Sequence, residues 1–413
     1  MTMLSQQQRI FFEFLRFCIG TVPEVPSSLK GADWRVLYAM ARKQCLVGVL
    51  FDGIQKLPPA EVGMSKDLLL QWLMQCQMLE KANVRLNDAA IQVSEWFRKR
   101  GFRTCILKGQ GNALLYPPGM ERTPGDIDLW VDGGDRKVVS FVRSLSPDEK
   151  VCYHHIGFPE YNGVEVEVHF RPSFLFCFRH NRRLQGYYER VMDEQFAHRV
   201  KLGEQGEGAV PKAEFNLIFQ LTHIFTHLMN EGIGLRQLLD YFFLLKNTDF
   251  IGNTNGDGFL LNTDFTDNTD RIGGNAESGA FLANTNCTDN TDRIGGNADG
   301  VDRRLLQDEL RRLGLWEFAG AVMYIMKEVF GLEDNKLIAP LDVKRGRLVL
   351  KEVLEAGNFG QYDKRNWFGH SALGHNLQRL YRDMRLVRYF PEEALSEPFF
   401  RIWHFFWRKR IVR

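Results

Sequence analysis

The first hundred residues carry a helical pattern of hydrophobic positions. Apolar side chains recur every three or four residues at Phe11, Phe12, Leu15 and Ile19, and again at Trp72, Leu73, Cys76 and Leu79. Because an α-helix has 3.6 residues per turn, this spacing places the apolar side chains on one face. We therefore predict an N-terminal helical region over residues 1–98.

From residue 99 the pattern changes to that of short strands. Three segments show it, an apolar run at 105–107 and alternating apolar and polar positions at 126–131 and 164–170. Strict alternation is typical of a β-strand with two unlike faces. The helical period returns over 206–246 and 301–413. We predict an α+β fold, in which a small mixed β-sheet core with flanking helices at 99–205 is embedded between N- and C-terminal helical regions.

Residues 247–300 match neither pattern. They are rich in Asn, Thr, Asp and Gly, and the segment TDNTDRIGGNA occurs twice, at 266–276 and 288–298. Solenoid repeats need a buried apolar face, but each copy offers a single isoleucine. A complete EF-hand calcium pattern is also missing. We predict a flexible insertion, with a small ordered elaboration or a weak ion site as the alternative.

Composition limits the classes of partner. The 53 Lys and Arg residues nearly balance the 51 Asp and Glu residues, so the chain as a whole has no strong attraction for nucleic acid. A local patch could still bind RNA or an acidic acceptor, although a solvated helix face is the simpler interpretation of the basic stripe Arg379, Arg382, Arg385 and Arg388. Seven cysteines without a C-x-x-C pair fit a reducing compartment. With no signal pattern and no apolar run long enough for a membrane span, we expect a cytoplasmic protein.

Two acids separated by one residue lie in the first alternating segment. Side chains two residues apart on a strand share a face, so Asp126 and Asp128 point one way while Ile127 points to the core. Glu165 and Glu167, in the next alternating segment, offer a third carboxylate. Magnesium prefers carboxylate oxygens and is shared with substrate phosphates. An acid pair on a strand alone is most often a solvated sheet face. Together with the Lys108-Gly109 strand exit upstream and the second acid-bearing strand downstream, the pair indicates a site for phosphoryl or nucleotidyl transfer.

Several segments together resemble a known family. LKGQGNALLYP at 107–117 is followed by R-x-x-x-DIDLWV at 122–131 and VEVHF at 166–170. This combination resembles the uncharacterised nucleotidyltransferase family of the DNA polymerase beta superfamily. The resemblance continues at 223–245 and 357–363.

The resemblance implies roles for particular residues. Gly109 and Gln110 fall in the phosphate-binding loop. Asp126 and Asp128 correspond to the metal-binding pair, and Glu167 corresponds to the third acid. Two Mg²⁺ (or Mn²⁺) ions and an NTP are implied, with transfer of a nucleoside monophosphate to an acceptor hydroxyl and release of pyrophosphate. The acceptor is unknown: a small molecule, a glycan precursor or a protein.

Three residues beside the acids have two interpretations each. Lys108 contacts a triphosphate as a point charge, or is a surface lysine at a strand end. Arg122 reaches phosphate or the loop backbone, or forms an ordinary ion pair. His169 orients Glu167 or touches the nucleotide, or is a structural histidine.

A helical segment downstream carries further polar candidates. His223 and His227 are four residues apart and share a helix face, as zinc ligands do, but they lack an HExxH signature. The resemblance places them, with Arg236 and Asp240, in a helical element beside the cleft. A role in packing or on the substrate side is the preferred interpretation.

Two alternatives to an active transferase remain. The superfamily usually has Ser where this chain has Gln110, and the stretch from this loop to Asp126 is longer than its commonest spacing. Both departures suit a nucleotide-binding or regulatory module without turnover. An interaction module, linked to polysaccharide biosynthesis, is the other alternative.

Overall fold

A computed structural model of the protein describes residues 4–58, 63–204, 206–251, 300–365 and 372–412. A small mixed sheet lies between N- and C-terminal helical regions, so the predicted α+β class is confirmed. Most of the predicted insertion at 247–300 lies outside the described residues, and the prediction of its flexibility stays a prediction.

Helices account for most of the described chain. Several begin at a side-chain cap, such as Ser5, whose hydroxyl accepts from the Gln8 amide, and Asp33, whose carboxylate accepts from two amides of the first turn. The α-helices are α1 Gln6–Cys18, α2 Trp34–Lys43, α3 Val47–Gln55, α4 Lys66–Arg98, α5 Gly109–Ala113, α6 Gly134–Leu145, α7 Phe178–Ala197, α8 Ala213–Asn230, α9 Leu235–Asn247, α10 Arg303–Arg312, α11 Trp316–Glu328, α12 Val343–Ala356, α13 Ala372–Leu386 and α14 Pro391–Ile411.

The central sheet has four strands in the order β1-β2-β4-β3. They are β1 Thr104–Leu107, β2 Ile127–Val131, β3 His155–Tyr161 and β4 Val164–His169. The central pair β2 and β4 is parallel, and both outer pairs are antiparallel. The sheet is therefore mixed, as the alternating segments predicted.

The two faces of this sheet have different surroundings. One face is apolar, and Ile127, Leu129 and Val168 pack in a buried cluster with side chains of α4 and α6. The opposite face carries the acids of β2 and β4. At its far end Trp130 stacks on Phe215 of α8. Burial of the apolar face fixes the strand register, because a slip of one residue would turn the acids into this core.

Two short strand pairs complete the fold. β5 Arg199–Lys201 pairs with β6 Glu207–Ala209 in antiparallel fashion. β7 Phe250–Ile251 pairs with β8 Val301–Asp302 in parallel fashion, and the Val301 amide donates to the Asp249 carbonyl oxygen at 2.8 Å. The second pair therefore holds the two ends of the predicted insertion side by side.

We predicted that the basic stripe faces solvent, and this prediction is wrong for three of its arginines. Arg379 contacts Glu397 at 2.9 Å, Arg382 contacts Asp363 at 3.6 Å, and Arg385 contacts Glu352 at 3.3 Å. These acids lie far away in sequence, and the fold brings them to α13. The exposed Arg388 is the stripe member that fits the prediction.

Candidate functional site

The strand register brings the predicted acids to one face of the sheet. Asp128 on β2 is the direct neighbour of Glu167 on β4 in the parallel pair. Asp126 lies two residues before Asp128, and His169 lies two residues after Glu167, so both share this face. One ligand atom from each of Asp128, Glu167 and His169 lies within 4.8 Å of the other two. Glu165, the other glutamate considered from the sequence, is exposed.

Asp128 is the most enclosed of the three acids. Its Oδ1 lies 2.7 Å from Lys108 Nζ and 2.8 Å from His169 Nε2. Burial raises the pKa of Asp128, but the Lys108 ammonium and the His169 imidazole more than offset this and hold the pKa well below its usual range. Burial lowers the pKa of His169, but hydrogen bonds to Asp128 and Glu167 raise it to about 9. Asp128 is therefore ionised at neutral pH.

The pKa of Asp126 is shifted in the opposite direction to that of Asp128. The negative charge of Asp128 and burial together raise the pKa of Asp126 to about 6, although the Lys108 ammonium opposes this shift. A carboxyl group with this pKa is protonated more readily than an ordinary aspartate. The sheet face that carries Asp126, Asp128 and Glu167, called the acid face below, thus holds more negative charge than Lys108 and His169 neutralise.

Glu167 contacts the histidines of two strands. Its Oε2 lies 3.3 Å from His155 Nδ1 and 3.4 Å from His169 Nε2. Burial raises the pKa of Glu167, but the hydrogen bond from His169 and the nearby His155 lower it overall. Burial lowers the pKa of His155 to about 4, so His155 is neutral at physiological pH. The Glu167 side chain is 28% exposed, against 3% for Asp128, which makes it the more accessible carboxylate.

The loop after β1 places the Lys108 side chain in contact with Asp128. Lys108 has a φ of 53°, which is unusual for a residue with a Cβ atom, and its Nζ also lies 3.3 Å from His223 Nε2. Gly109 and Gln110 begin the short helix α5. Both amide atoms of the buried Gln110 side chain lack a hydrogen-bond partner among the described residues. The roles of these three residues toward phosphate stay predictions.

The sequence left open whether Arg122 reaches phosphate or the loop backbone, or forms an ion pair. In the structure Arg122 forms a buried ion pair with Asp240. Its Nε and Nη2 each donate to the Asp240 carboxylate at 2.8 Å, and the Tyr116 hydroxyl donates to the same carboxylate at 2.7 Å. Burial opposes the charge on both partners. Their attraction more than offsets this, so that the pKa of Arg122 is raised and that of Asp240 is lowered. Phosphate binding by Arg122 is untested, but its guanidinium is committed to Asp240.

Arg236 is a second buried cation close to this pair. Its Nη1 donates to the Thr123 carbonyl oxygen at 3.1 Å, and its Nε has no hydrogen-bond partner among the described residues. Burial and the charge of Arg122 lower the pKa of Arg236. Arg236 therefore holds a buried positive charge beside the cleft, with one N–H donor that no described residue uses.

The two histidines of α8 lie one turn apart beside the acids. Their rings are 4.2 Å apart, and His227 Nδ1 lies 2.6 Å from Glu231 Oε1. His223 contacts Lys108, whereas the His227 ring lies 5.2 Å from that of Phe359. Among the described residues, His223 and His227 belong to no group of three potential metal ligands.

A narrow cleft separates the acids from α8 and α9. The predicted residues that line it are Lys108, Gly109, Arg122, Asp126, Asp128, His223, Arg236 and Asp240. Gln110, Glu167, His169 and His227 are not part of the lining. The cavity measures about 40 Å³, which is room for about three water molecules.

A protein-family model matches a large part of this chain. The model of a family described as uncharacterised nucleotidyltransferase matches residues 30–254, more than half of the 413 residues. The chain belongs to the uncharacterised nucleotidyltransferase family. No curated protein and no solved structure matches it significantly. Family membership supports a general nucleotidyltransferase role, and the match includes the acids together with α8 and α9.

This family member has cleft residues that the sequence did not single out. Asn112 lines the cleft and accepts a hydrogen bond from Gln220 of α8 at 2.9 Å. Phe359, with a φ of 50°, lines it from the C-terminal region, beyond the residues matched by the family. Asn112 and Phe359 lie inside the segments that carry the resemblance, which was the available signal. Gln220 lies on a helix that is buried nearly all round, so periodicity does not distinguish it.

The donor set of this nucleotidyltransferase family member fits divalent cations. Asp126, Asp128 and Glu167 supply the oxygen ligands that Mg²⁺ and Mn²⁺ prefer. The raised pKa of Asp126 reflects the uncompensated charge that a divalent cation would neutralise. Among the described residues, each helix is too short or too polar to cross a bilayer.

Proposed function

We propose that this protein transfers a nucleoside monophosphate from an NTP to an acceptor hydroxyl and releases pyrophosphate. The observation that carries the proposal is the pairing of Asp128 with Glu167 on adjacent parallel strands, with Asp126 two residues upstream. The acceptor oxygen would form a bond to the α-phosphorus, and the bond from that phosphorus to the bridging oxygen of pyrophosphate would break. Family membership supports the transferase class.

Asp126, Asp128 and Glu167 would hold the cations. When bound, Mg²⁺ or Mn²⁺ supplies positive charge that neutralises the triphosphate and makes the acceptor hydroxyl more acidic. Glu167 is the proposed acceptor of the hydroxyl proton, because Asp128 is buried and already contacts both Lys108 and His169. His169 positions both carboxylates through its Nε2.

Two positively charged side chains of the cleft, Lys108 and Arg236, would bind the phosphates of the NTP. Lys108 would exchange its contact with Asp128 for a phosphate oxygen once a metal ion neutralises the acids. Arg236 offers the unpartnered Nε. Arg122 is proposed as a positioning residue, because its hydrogen bonds to Asp240 and to the Thr123 carbonyl oxygen fix the loop that precedes Asp126.

The proposal requires the cleft to change its size. A cavity of about 40 Å³ is far too small for a nucleoside triphosphate, so the cleft must widen before an NTP enters. Gln110 favours a second candidate function, a nucleotide-binding or regulatory module without turnover, because the superfamily usually has Ser at this position of the loop and both amide atoms of Gln110 lack a partner among the described residues. In that module the Lys108–Asp128 ion pair would remain closed.

A labelling experiment distinguishes the two functions. The full chain is incubated with each labelled NTP, Mg²⁺ or Mn²⁺, and cell extract as the source of acceptor. We expect a labelled product and pyrophosphate from the wild type and none from Asp128→Asn. Asp132→Asn is the matched control, since Asp132 follows β2 and pairs with Arg103 at the surface.

Each outcome has a defined meaning. Equal labelling by the wild type and Asp128→Asn would refute the proposed role of Asp128. NTP binding without pyrophosphate release would support the second candidate. If Asp132→Asn also failed to label an acceptor, the loss of labelling in Asp128→Asn would reflect a folding defect rather than the loss of an acid from the site.

A further inference from the structure

Three histidines meet at the β3 side of the acid face. His155 begins β3 and lies directly opposite His169 in the β3–β4 pairing, and His154 immediately precedes it. One ring nitrogen from each of His154, His155 and His169 lies within 4.8 Å of the other two. The histidine cluster, defined as these three residues, adjoins Glu167.

The separations within this group resemble those of metal ligands. His155 Nδ1 lies 3.1 Å from His154 Nε2 and 3.3 Å from Glu167 Oε2, and that oxygen lies 3.4 Å from His169 Nε2. In a tetrahedral zinc site with bonds of about 2.0–2.1 Å, neighbouring ligand atoms are about 3.3–3.4 Å apart. Three of the six separations among the four ligand atoms are therefore already close to the spacing that such an ion requires.

Hydrogen bonds alone leave this group incompletely satisfied. A ring nitrogen carries either one proton or one lone pair. His169 Nδ1 faces the Arg171 carbonyl oxygen at 3.3 Å, while its Nε2 faces the carboxylates of Asp128 and Glu167. A proton on each nitrogen satisfies these contacts, so His169 would release its Nε2 proton when a metal ion binds. His154 Nδ1 has no hydrogen-bond partner among the described residues.

We propose that the histidine cluster and Glu167 bind a transition-metal ion of the Zn²⁺ class. Three imidazoles and one carboxylate suit Zn²⁺ and its neighbours, whereas Mg²⁺ prefers oxygen ligands. The Arg171 carbonyl oxygen would accept from His169 Nδ1 and so orient the ring, as backbone carbonyls commonly do for histidine ligands.

The burial of the cluster fits a bound ion that enters from solvent. The side chains of His155 and Glu167 are 16% and 28% exposed, so an ion can reach them, whereas that of His169 is 1% exposed. Glu167 lies between the histidine cluster and Asp128, and would connect this ion to the acids. The proposal does not depend on nucleotidyl transfer, because binding of the ion requires no NTP.

Metal titration of the chelator-treated full chain tests the site without nucleotide. Zn²⁺ is followed by calorimetry and Co²⁺ by visible absorption, each in the presence of excess Mg²⁺. We expect one Co²⁺ per chain, with the strong absorption of a four-coordinate site. His154→Ala and His155→Ala should each weaken binding by at least about tenfold, since both remove a ligand.

Two controls separate loss of ligands from loss of folding. His375→Ala changes an exposed histidine outside the cluster, and Asp193→Ala changes an exposed acid that is not a proposed ligand. Both variants should keep the Co²⁺ affinity. His155→Gln retains a polar side chain, and should keep the unfolding temperature of the metal-free protein while losing Co²⁺.

Either of two results would overturn the proposal: displacement of Co²⁺ by Mg²⁺, or equal Co²⁺ affinity in wild type and His155→Gln. The proposed transferase function fails on different evidence. It depends on labelling with Mg²⁺ or Mn²⁺ and on Asp128. A chain that binds no Zn²⁺ but still labels an acceptor would refute only the inference about the histidine cluster.

Discussion

Replacing Asp240 with alanine should test what the buried ion pair beside the cleft contributes to stability. Asp240 is 4% exposed and accepts two hydrogen bonds from Arg122 and one from Tyr116. In Asp240→Ala, the Arg122 guanidinium stays buried without its counter-charge. Arg236, the other buried cation nearby, also loses the attraction of this carboxylate.

The expected magnitude follows from the burial of both partners. Arg122 is 6% exposed, so water cannot replace the lost carboxylate without opening the fold. Removing one partner of a buried pair typically costs about 3–5 kcal/mol, because a buried charge is left uncompensated. We expect Asp240→Ala to lower the free energy of unfolding by this amount. An exposed pair contributes only about 0–1 kcal/mol.

Urea unfolding followed by circular dichroism measures the effect as a shift in midpoint at constant slope. Asp193→Ala is the matched control, because the Asp193 side chain is 79% exposed and pairs with Arg103 at the surface. The double variant Arg122→Met with Asp240→Ala should cost less than the sum of the single changes by about 0.5–3 kcal/mol. A loss below about 1 kcal/mol in Asp240→Ala, or strict additivity, would refute this account of the pair.

Three further predictions concern charge and packing. The affinity of the acids for Mn²⁺, measured by electron paramagnetic resonance, should rise as pH increases through about 6, because protonated Asp126 is a poor ligand; an affinity independent of pH between 5 and 7 would contradict this. Burial and the nearby Glu397 raise the pKa of Asp383 to about 8, so its contribution to stability is present below about pH 4 and is lost as pH rises through about 8. Asp383→Asn should flatten this pH dependence in urea unfolding. Gly48→Ala should destabilise the protein by about 1–3 kcal/mol, because its Cβ would lie 2.1 Å from a backbone carbonyl oxygen. Gly186→Ala, in open space on α7, should instead stabilise it by about 0.5–1 kcal/mol.

The sequence predicted the part of the site that strand geometry controls. Alternation placed Asp126 and Asp128 on one face. The same rule applied to the next segment offered Glu165 and Glu167, and the family resemblance selected Glu167. Burying both apolar faces against the same helices puts Asp128 and Glu167 on one face, where the parallel pairing makes them direct neighbours. Local periodicity was sufficient there because each strand has one buried and one polar face.

The remaining residues of the site could not be predicted from local patterns. Arg122 and Asp240 are separated by 118 positions, and helical spacing cannot show that they meet. The arginines of α13 were assigned to solvent because their acidic partners lie on other elements. His154 and His155 were not identified from the sequence, although His155 is the first residue of β3. Tertiary packing decided each of these positions.

The short parallel pairing of Phe250–Ile251 with Val301–Asp302 has an evolutionary consequence. Since both ends of the repeat-containing stretch are tied together next to α9 and α10, copies of TDNTDRIGGNA can be gained or lost without shifting either helix. For a flexible connection, each doubling of its length adds only about 0.6 kcal/mol of closure entropy. We therefore expect natural variants of this chain to differ in repeat number while the sheet face that carries Asp126, Asp128 and Glu167 keeps its geometry.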